Sequence, residues 1–114
     1  MISGPFLQFL RYKGKAMGFD EIRQRILDNS QKIRQYGVNR IGFFGSLVRG
    51  QQRNDSDIDL LVFFDEGKLS FDSYMDLNFY LEDLLHIKVD LLTPEQISPY
   101  IMPYIQKEIQ YESL

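Results

Sequence analysis

Apolar residues recur along the chain with two different periods. Ile22, Ile26 and Ile33 fall near one helical face with Leu27 beside it, and Arg23, Gln24, Asp28 and Gln31 lie elsewhere. This predicts a helix over residues 20–36, with Asp20 as N-cap, Glu21 in the first turn and Gly37 as the stop. Residues 40–44 read as a short buried strand ending at Gly45, and residues 46–50 as the first turns of a short helix. A polar loop covers 51–56. Residues 58–64, Ile-Asp-Leu-Leu-Val-Phe-Phe, form the strongest strand pattern in the chain, closed by the turn residues Asp65-Glu66-Gly67-Lys68.

Ser70 is placed to cap a second helix, in which Tyr74, Leu77, Leu81 and Leu84 recur at helical spacing and Asp72, Asp76, Glu82 and Asp83 face away. Residues 87–92 predict a third strand, broken by Thr93-Pro94. Ile101, Ile105 and Ile109 predict a closing helix over 98–111, with Pro103 in its first turn, where proline is tolerated. Helix, strand, short helix, strand, helix, strand, helix, without internal repeats, implies one α/β domain: a small mixed β-sheet with helices packed on it.

Bulk properties narrow the function. The 114 residues suit a single domain, and 44% hydrophobic content supports a real core. A net charge of −3 argues against nucleic acid as the main partner, since such domains carry a basic excess. It leaves room for a nucleotide whose charge is neutralised by metal ions. There is no cysteine, which excludes disulfides, thiolate metal sites and a cysteine nucleophile, and is compatible with the cytoplasm. No apolar run reaches the roughly 18 residues of a membrane span. Residues 1–16 place an apolar segment before a basic one (Arg11, Lys13, Lys15), the reverse of a signal peptide. They read as an N-terminal extension to a domain spanning 17–114, with a short packed helix as the alternative.

The candidate chemistry lies in two acidic strands and one turn. Asp57 and Asp59 are two apart on a strand, so their side chains leave the same face. Aspartate is depleted in strands, and two on one face beside a buried run call for a reason. The functional reason is a metal pair; the structural alternative is a solvated strand end or pairing with Arg49 or Arg53. Asp90, within Lys88-Val89-Asp90-Leu91-Leu92, joins the same carboxylate face if the third strand lies beside the second. Oxygen-only ligands suit Mg²⁺ or Mn²⁺. Gly45 permits a tight strand-to-helix turn, and Ser46 could cap the short helix or bind a phosphate. No Gly-Lys-Ser/Thr follows, which excludes a Walker A loop. Asp55, Asp57, Asp59 and Glu66 match four positions of an EF-hand loop, but Leu60 stands where its glycine is needed. His86, near a helix C-terminus, reads as a surface residue.

Gly45-Ser46, ten residues, then Asp57-Ile58-Asp59, with a later strand aspartate at Asp90, resembles the signature of the DNA polymerase β-type nucleotidyltransferases. The length and the Arg49-Gly50 pair resemble their minimal (MNT) group. The resemblance covers about residues 20–110. It implies a polymerase β-like α/β core, ATP or another nucleoside triphosphate as substrate, two Mg²⁺ ions, and nucleotidyl transfer to a hydroxyl with release of pyrophosphate. Asp57 and Asp59 would bridge the metals, and Asp90 would bind the one next to the acceptor. Gly45 and Ser46 would hold the β- and γ-phosphates. Arg49 would neutralise phosphate charge or form a salt bridge to an aspartate. Proteins of this group often accompany a HEPN-domain RNase toxin and attach AMP to one of its tyrosines as the antitoxin, which implies a hetero-oligomer. A non-catalytic antitoxin acting by occlusion and a small-molecule nucleotidyltransferase are the alternatives.

Overall fold

The computed structural model describes residues 17–51 and 57–114. The expectations for residues 1–16 and for the loop, including Arg53 and Asp55, lie outside the described residues. The elements are α1 (Phe19–Asp28), α2 (Ser30–Arg34), β1 (Val38–Phe43), β2 (Ile58–Phe64), α3 (Phe71–Leu85), β3 (Val89–Leu92), a 3₁₀ turn (Pro94–Gln96), α4 (Met102–Gln106) and β4 (Gln110–Ser113). Among the described residues no helix is long and apolar enough to cross a membrane.

The sheet has the order β3-β2-β1-β4. β2 pairs antiparallel with β1 and parallel with β3, and β4 pairs antiparallel with the other edge of β1. A parallel pair needs a crossover, and α3 provides it between β2 and β3. Ser70 caps α3 as its sequence predicts, in a reciprocal box with Ser73. The Tyr74 hydroxyl donates to the Leu91 carbonyl and ties this helix to β3. The sheet is therefore mixed and small, with helices packed on it, as the pattern predicts.

Two apolar layers enclose the sheet. Ile58, Leu60 and Val62 of β2 face the main core with Ile22, Ile26, Ile33, Leu77 and Leu81. The alternate residues Leu61 and Phe63 face the other side, where Phe44, Leu92, Ile97, Ile105 and Ile109 make a second, smaller cluster. β1 keeps Val38 and Ile41 in the main core by a register shift between Val38 and Arg40, a local bulge. The carbonyl of the intervening Asn39 accepts the Leu114 N–H at 2.9 Å.

Several boundaries differ from the sequence pattern for identifiable reasons. The first helix is broken at Asn29, whose side-chain amide donates to the Arg25 carbonyl at 2.8 Å. Such back-bonding competes with the helical ladder. Gly18, rather than Asp20, is the N-cap, and Asp20 lies inside the first turn. Gly37 ends the segment as expected, at φ 97° with its N–H on the Arg34 carbonyl at 2.9 Å. Residues 45–50 form consecutive turns and not a helix. The closing helix over 98–111 is replaced by the 3₁₀ turn, the short α4 and the strand β4. Only Ile105 of the isoleucine stripe is buried, and Ile101 is 54% exposed. The free edge of β1 instead recruits the tail, pairing Arg40 with Ser113 and Phe43 with Gln110. That pairing satisfies backbone donors and acceptors a sheet edge would leave open.

Gly42 lets the tail lie close against β1. A Cβ there would sit 2.6 Å from Ile109 Cδ1 and 3.1 Å from its Cγ1. The isoleucine end could yield to one methyl but not to a branched side chain. Gly42→Val should therefore destabilise the chain by about 1–3 kcal/mol in urea unfolding. An unchanged midpoint would mean that the tail does not pack on β1 as described.

Candidate active site

The acidic residues are brought together by strand register. In the parallel β2–β3 pair Asp59 stands directly opposite Asp90. Directly paired strand residues share a face. That face is the one away from α1 and α3, because their neighbours Ile58, Leu60, Val89 and Leu91 all point into the main core. Asp57 lies one residue before β2, exposed, on the same alternation. Asp90 thus takes the position that the sequence pattern makes conditional on β3 lying beside β2.

The electrostatics agree with this geometry. Burial raises the Asp59 pKa above its ordinary value, and the negative charges of Asp90 and then Asp57 raise it further. Among the described residues no three His, Cys, Asp or Glu side chains close tightly enough to hold a metal ion as they stand. The donor set nevertheless fits one. Hard carboxylate oxygens of two strands act on one another, and a divalent cation of the Mg²⁺ or Mn²⁺ kind would offset that repulsion. The EF-hand alternative fails here, because Asp59 and Leu60 belong to β2 and not to a calcium loop.

The glycine-serine turn reaches the same sheet edge. β1 runs antiparallel to β2 with Phe43 opposite Leu60, so the chain leaving β1 passes beside the start of β2. Gly45 then takes φ 74°, a left-handed conformation, and a Cβ there would meet nothing within 4 Å. The requirement for glycine is thus conformational and not steric. Leu47, 1% exposed, anchors the turn in the main core. The Arg49 N–H donates to the Gly45 carbonyl at 3.2 Å and the Gln51 N–H to the Ser46 carbonyl at 2.8 Å.

Among the described residues Arg49 forms a salt bridge to Glu108 and not to an aspartate. Its Nη1 donates to both carboxylate oxygens, at 2.9 and 2.8 Å, and its Nε to Gln51 Oε1 at 3.2 Å. Glu108 Oε1 also accepts the Gly45 N–H at 3.0 Å. These two donors, Arg49 first, hold the Glu108 pKa below its ordinary value. Glu108 escapes the sequence reading because it belongs to no motif; only the pairing of β4 with β1 brings it here. His86 is the left-handed C-cap of α3, half-buried, and burial together with Arg25 lowers its pKa. It is less charged than a helix C-terminus alone would make it.

The nucleotidyltransferase domain family matches residues 20–112. The chain belongs to that family. It is 43% identical over 95 residues to a Methanocaldococcus jannaschii protein provisionally named a protein adenylyltransferase, covering 80% of this chain and 94% of that one. It is 37% identical to protein adenylyltransferase MntA of Thermococcus cleftensis, over 81% of this chain and 93% of that one. A solved structure described as a minimal nucleotidyltransferase superposes with a TM-score of 0.72 at 32% identity, covering 85% of this chain and 98% of the other. At the level of fold alone, the chain also resembles a Shewanella oneidensis structure of a tri-AMPylated HEPN toxin with its MNT antitoxin, with a TM-score of 0.56 and 18% identity over 79% of this chain and 70% of that one. The enzyme class of this minimal nucleotidyltransferase is adenylyltransferase, in agreement with the sequence resemblance.

The crowding of carboxylates has a measurable consequence. A raised folded pKa means that Asp59 ionises less readily folded than unfolded. Folding therefore loses stability as pH rises through the folded pKa, and the cost vanishes below the ordinary value of 3.8. Without added metal, Asp59→Asn should raise the melting temperature by a few degrees near neutral pH and leave it unchanged in acid below that value. A lower melting temperature at neutral pH would show that neither burial nor the neighbouring aspartates disfavour the ionised carboxylate.

Proposed function

We propose that this chain transfers AMP from ATP to a tyrosine hydroxyl of a partner HEPN-domain RNase toxin in the cytoplasm, and that the transfer silences the toxin. The observation that carries the reading is the register of Asp59 against Asp90, with Asp57 two residues upstream and the Gly45-Ser46 turn at the same sheet edge. The relatives named as protein adenylyltransferases support a protein acceptor. The Shewanella complex, in which the toxin itself is AMPylated, supports the choice of partner. Tyr100, Ile101 and Tyr104, 87%, 54% and 70% exposed, offer apolar surface of the kind a protein partner covers.

In this reading Asp57, Asp59 and Asp90 would hold two Mg²⁺ ions, with Mn²⁺ as a substitute. The chemistry such ions supply when bound is charge stabilisation on the attacking and leaving oxygens of an in-line displacement. The Ser46 hydroxyl and backbone, presented by the Gly45 turn, hold the β- and γ-phosphates, and Arg49 offsets their charge. Asp90 receives the acceptor's proton as its oxygen bonds to the α-phosphorus. The bond from that phosphorus to pyrophosphate breaks, and pyrophosphate departs.

Incubation with Mg²⁺, ATP and the purified partner should add AMP increments to the partner, read by intact-mass spectrometry. Asp59→Asn should slow their appearance by at least about a hundredfold, since several kcal/mol of charge stabilisation are at stake. A partner inhibited without any adduct would overturn transfer in favour of occlusion. Transfer that persists in the variant would remove the assignment of Asp59.

A further inference from the structure

Glu108 brings a carboxylate from the far end of the chain to the Gly45-Ser46 turn. Its place is fixed by pairing. Phe43 stands opposite Gln110 in the β1–β4 ladder, and continuing that antiparallel register by two residues puts Glu108 opposite Gly45. The contact is direct, with Glu108 Oε1 3.0 Å from the Gly45 nitrogen. Neighbours on both sides hold it there. Ile105 is buried in the second apolar cluster, the Glu108 N–H donates to the Ile105 carbonyl at 3.1 Å, and Ile109 packs against Gly42.

The two groups that Glu108 engages are a backbone N–H of the turn and the turn's guanidinium. Both are donors that suit an anion, so the carboxylate could exclude a phosphate or could arrange the turn to receive one. The arrangement of Arg49 favours the second. Glu108 engages Nη1 and Gln51 takes Nε, so the guanidinium is held at two of its three nitrogens. A long, 49%-exposed arginine would otherwise sample many rotamers, and a phosphate would have to order it on binding. The lowered pKa of Glu108 follows from the same two donors, Arg49 first and then Gly45.

We propose that Glu108 is a positioning residue for the nucleotide. It clamps Arg49 and the Gly45 N–H so that the turn meets the triphosphate already ordered. This rests on the nucleotide-binding reading of the turn given above. It also makes the C-terminal segment part of the site, although the acidic signature contains none of it.

The test is titration calorimetry of the full chain with Mg²⁺ and α,β-methylene ATP, which cannot be cleaved at the α-phosphorus, together with a melting curve for each variant. Glu108→Gln should weaken binding about tenfold with little change in melting temperature. Arg49→Gln should weaken it at least as much, and the double variant by less than the two single effects added, because Glu108 acts in part through Arg49. Tighter binding by Glu108→Gln would show that the carboxylate competes with phosphate and would overturn the proposal. Unchanged affinity, with or without a lower melting temperature, would also overturn it. Should Glu108→Gln fail to fold, Glu108→Asp, which withdraws the carboxylate by one methylene, is read by the same criteria. Absence of binding by the unaltered chain would instead overturn the nucleotide reading on which the proposal rests.

Discussion

β2 is flanked by a parallel neighbour on one side and an antiparallel neighbour on the other, and the candidate site follows from that pairing. The parallel pairing with β3 sets Asp90 against Asp59. The antiparallel pairing with β1 brings the Gly45 turn to the end of the sheet where β2 begins. Three segments distant in sequence therefore meet at one edge, on the face that the main core does not use. A slip of one residue in β2 or β3 would turn its aspartates into the core, and burial of Ile58, Leu60, Val89 and Leu91 opposes that slip.

The second apolar cluster has a corresponding role on the other face. It covers the middle of the sheet with Ile97, Ile105 and Ile109 and leaves the aspartate end open. Arg40 stacks on both Phe63 and Tyr111, 4.0 and 4.6 Å from their ring centres, and helps fix β4 across β1. Packing of the tail and organisation of the turn are thus mechanically linked. The segment that closes the small core also delivers a carboxylate to Gly45 and Arg49.

Electrostatically, the edge is divided. Three aspartates oppose one another at β2 and β3, and burial, then repulsion by Asp90 and Asp57, raises the pKa of Asp59. At the turn, by contrast, charges are paired, with a guanidinium and a backbone N–H engaged by Glu108. A triphosphate with divalent cations would place positive charge against the aspartates and negative charge against the turn.

Local sequence determined a good deal. The β2 strand, the Ser70 cap, the Gly37 stop and the Gly45 turn rest on dihedral preference, short-range hydrogen bonding and alternation, which act over a few residues. The aspartate pair of β2 was legible for the same reason, since alternation alone puts both on one face. The break at Asn29 was missed because a single side-chain bond to Arg25 outweighs a continuous apolar stripe. Only the tertiary structure decided the rest. Isoleucine spacing in the tail favours one continuous helix, but only the short α4 forms, and the open edge of β1 takes the residues after Ile109 as β4. The meeting of Asp90 with Asp59, and of Glu108 with Gly45 and Arg49, depends on which strands pair and in what register. That is settled by burial across the whole sheet and is written in no contiguous stretch of the chain.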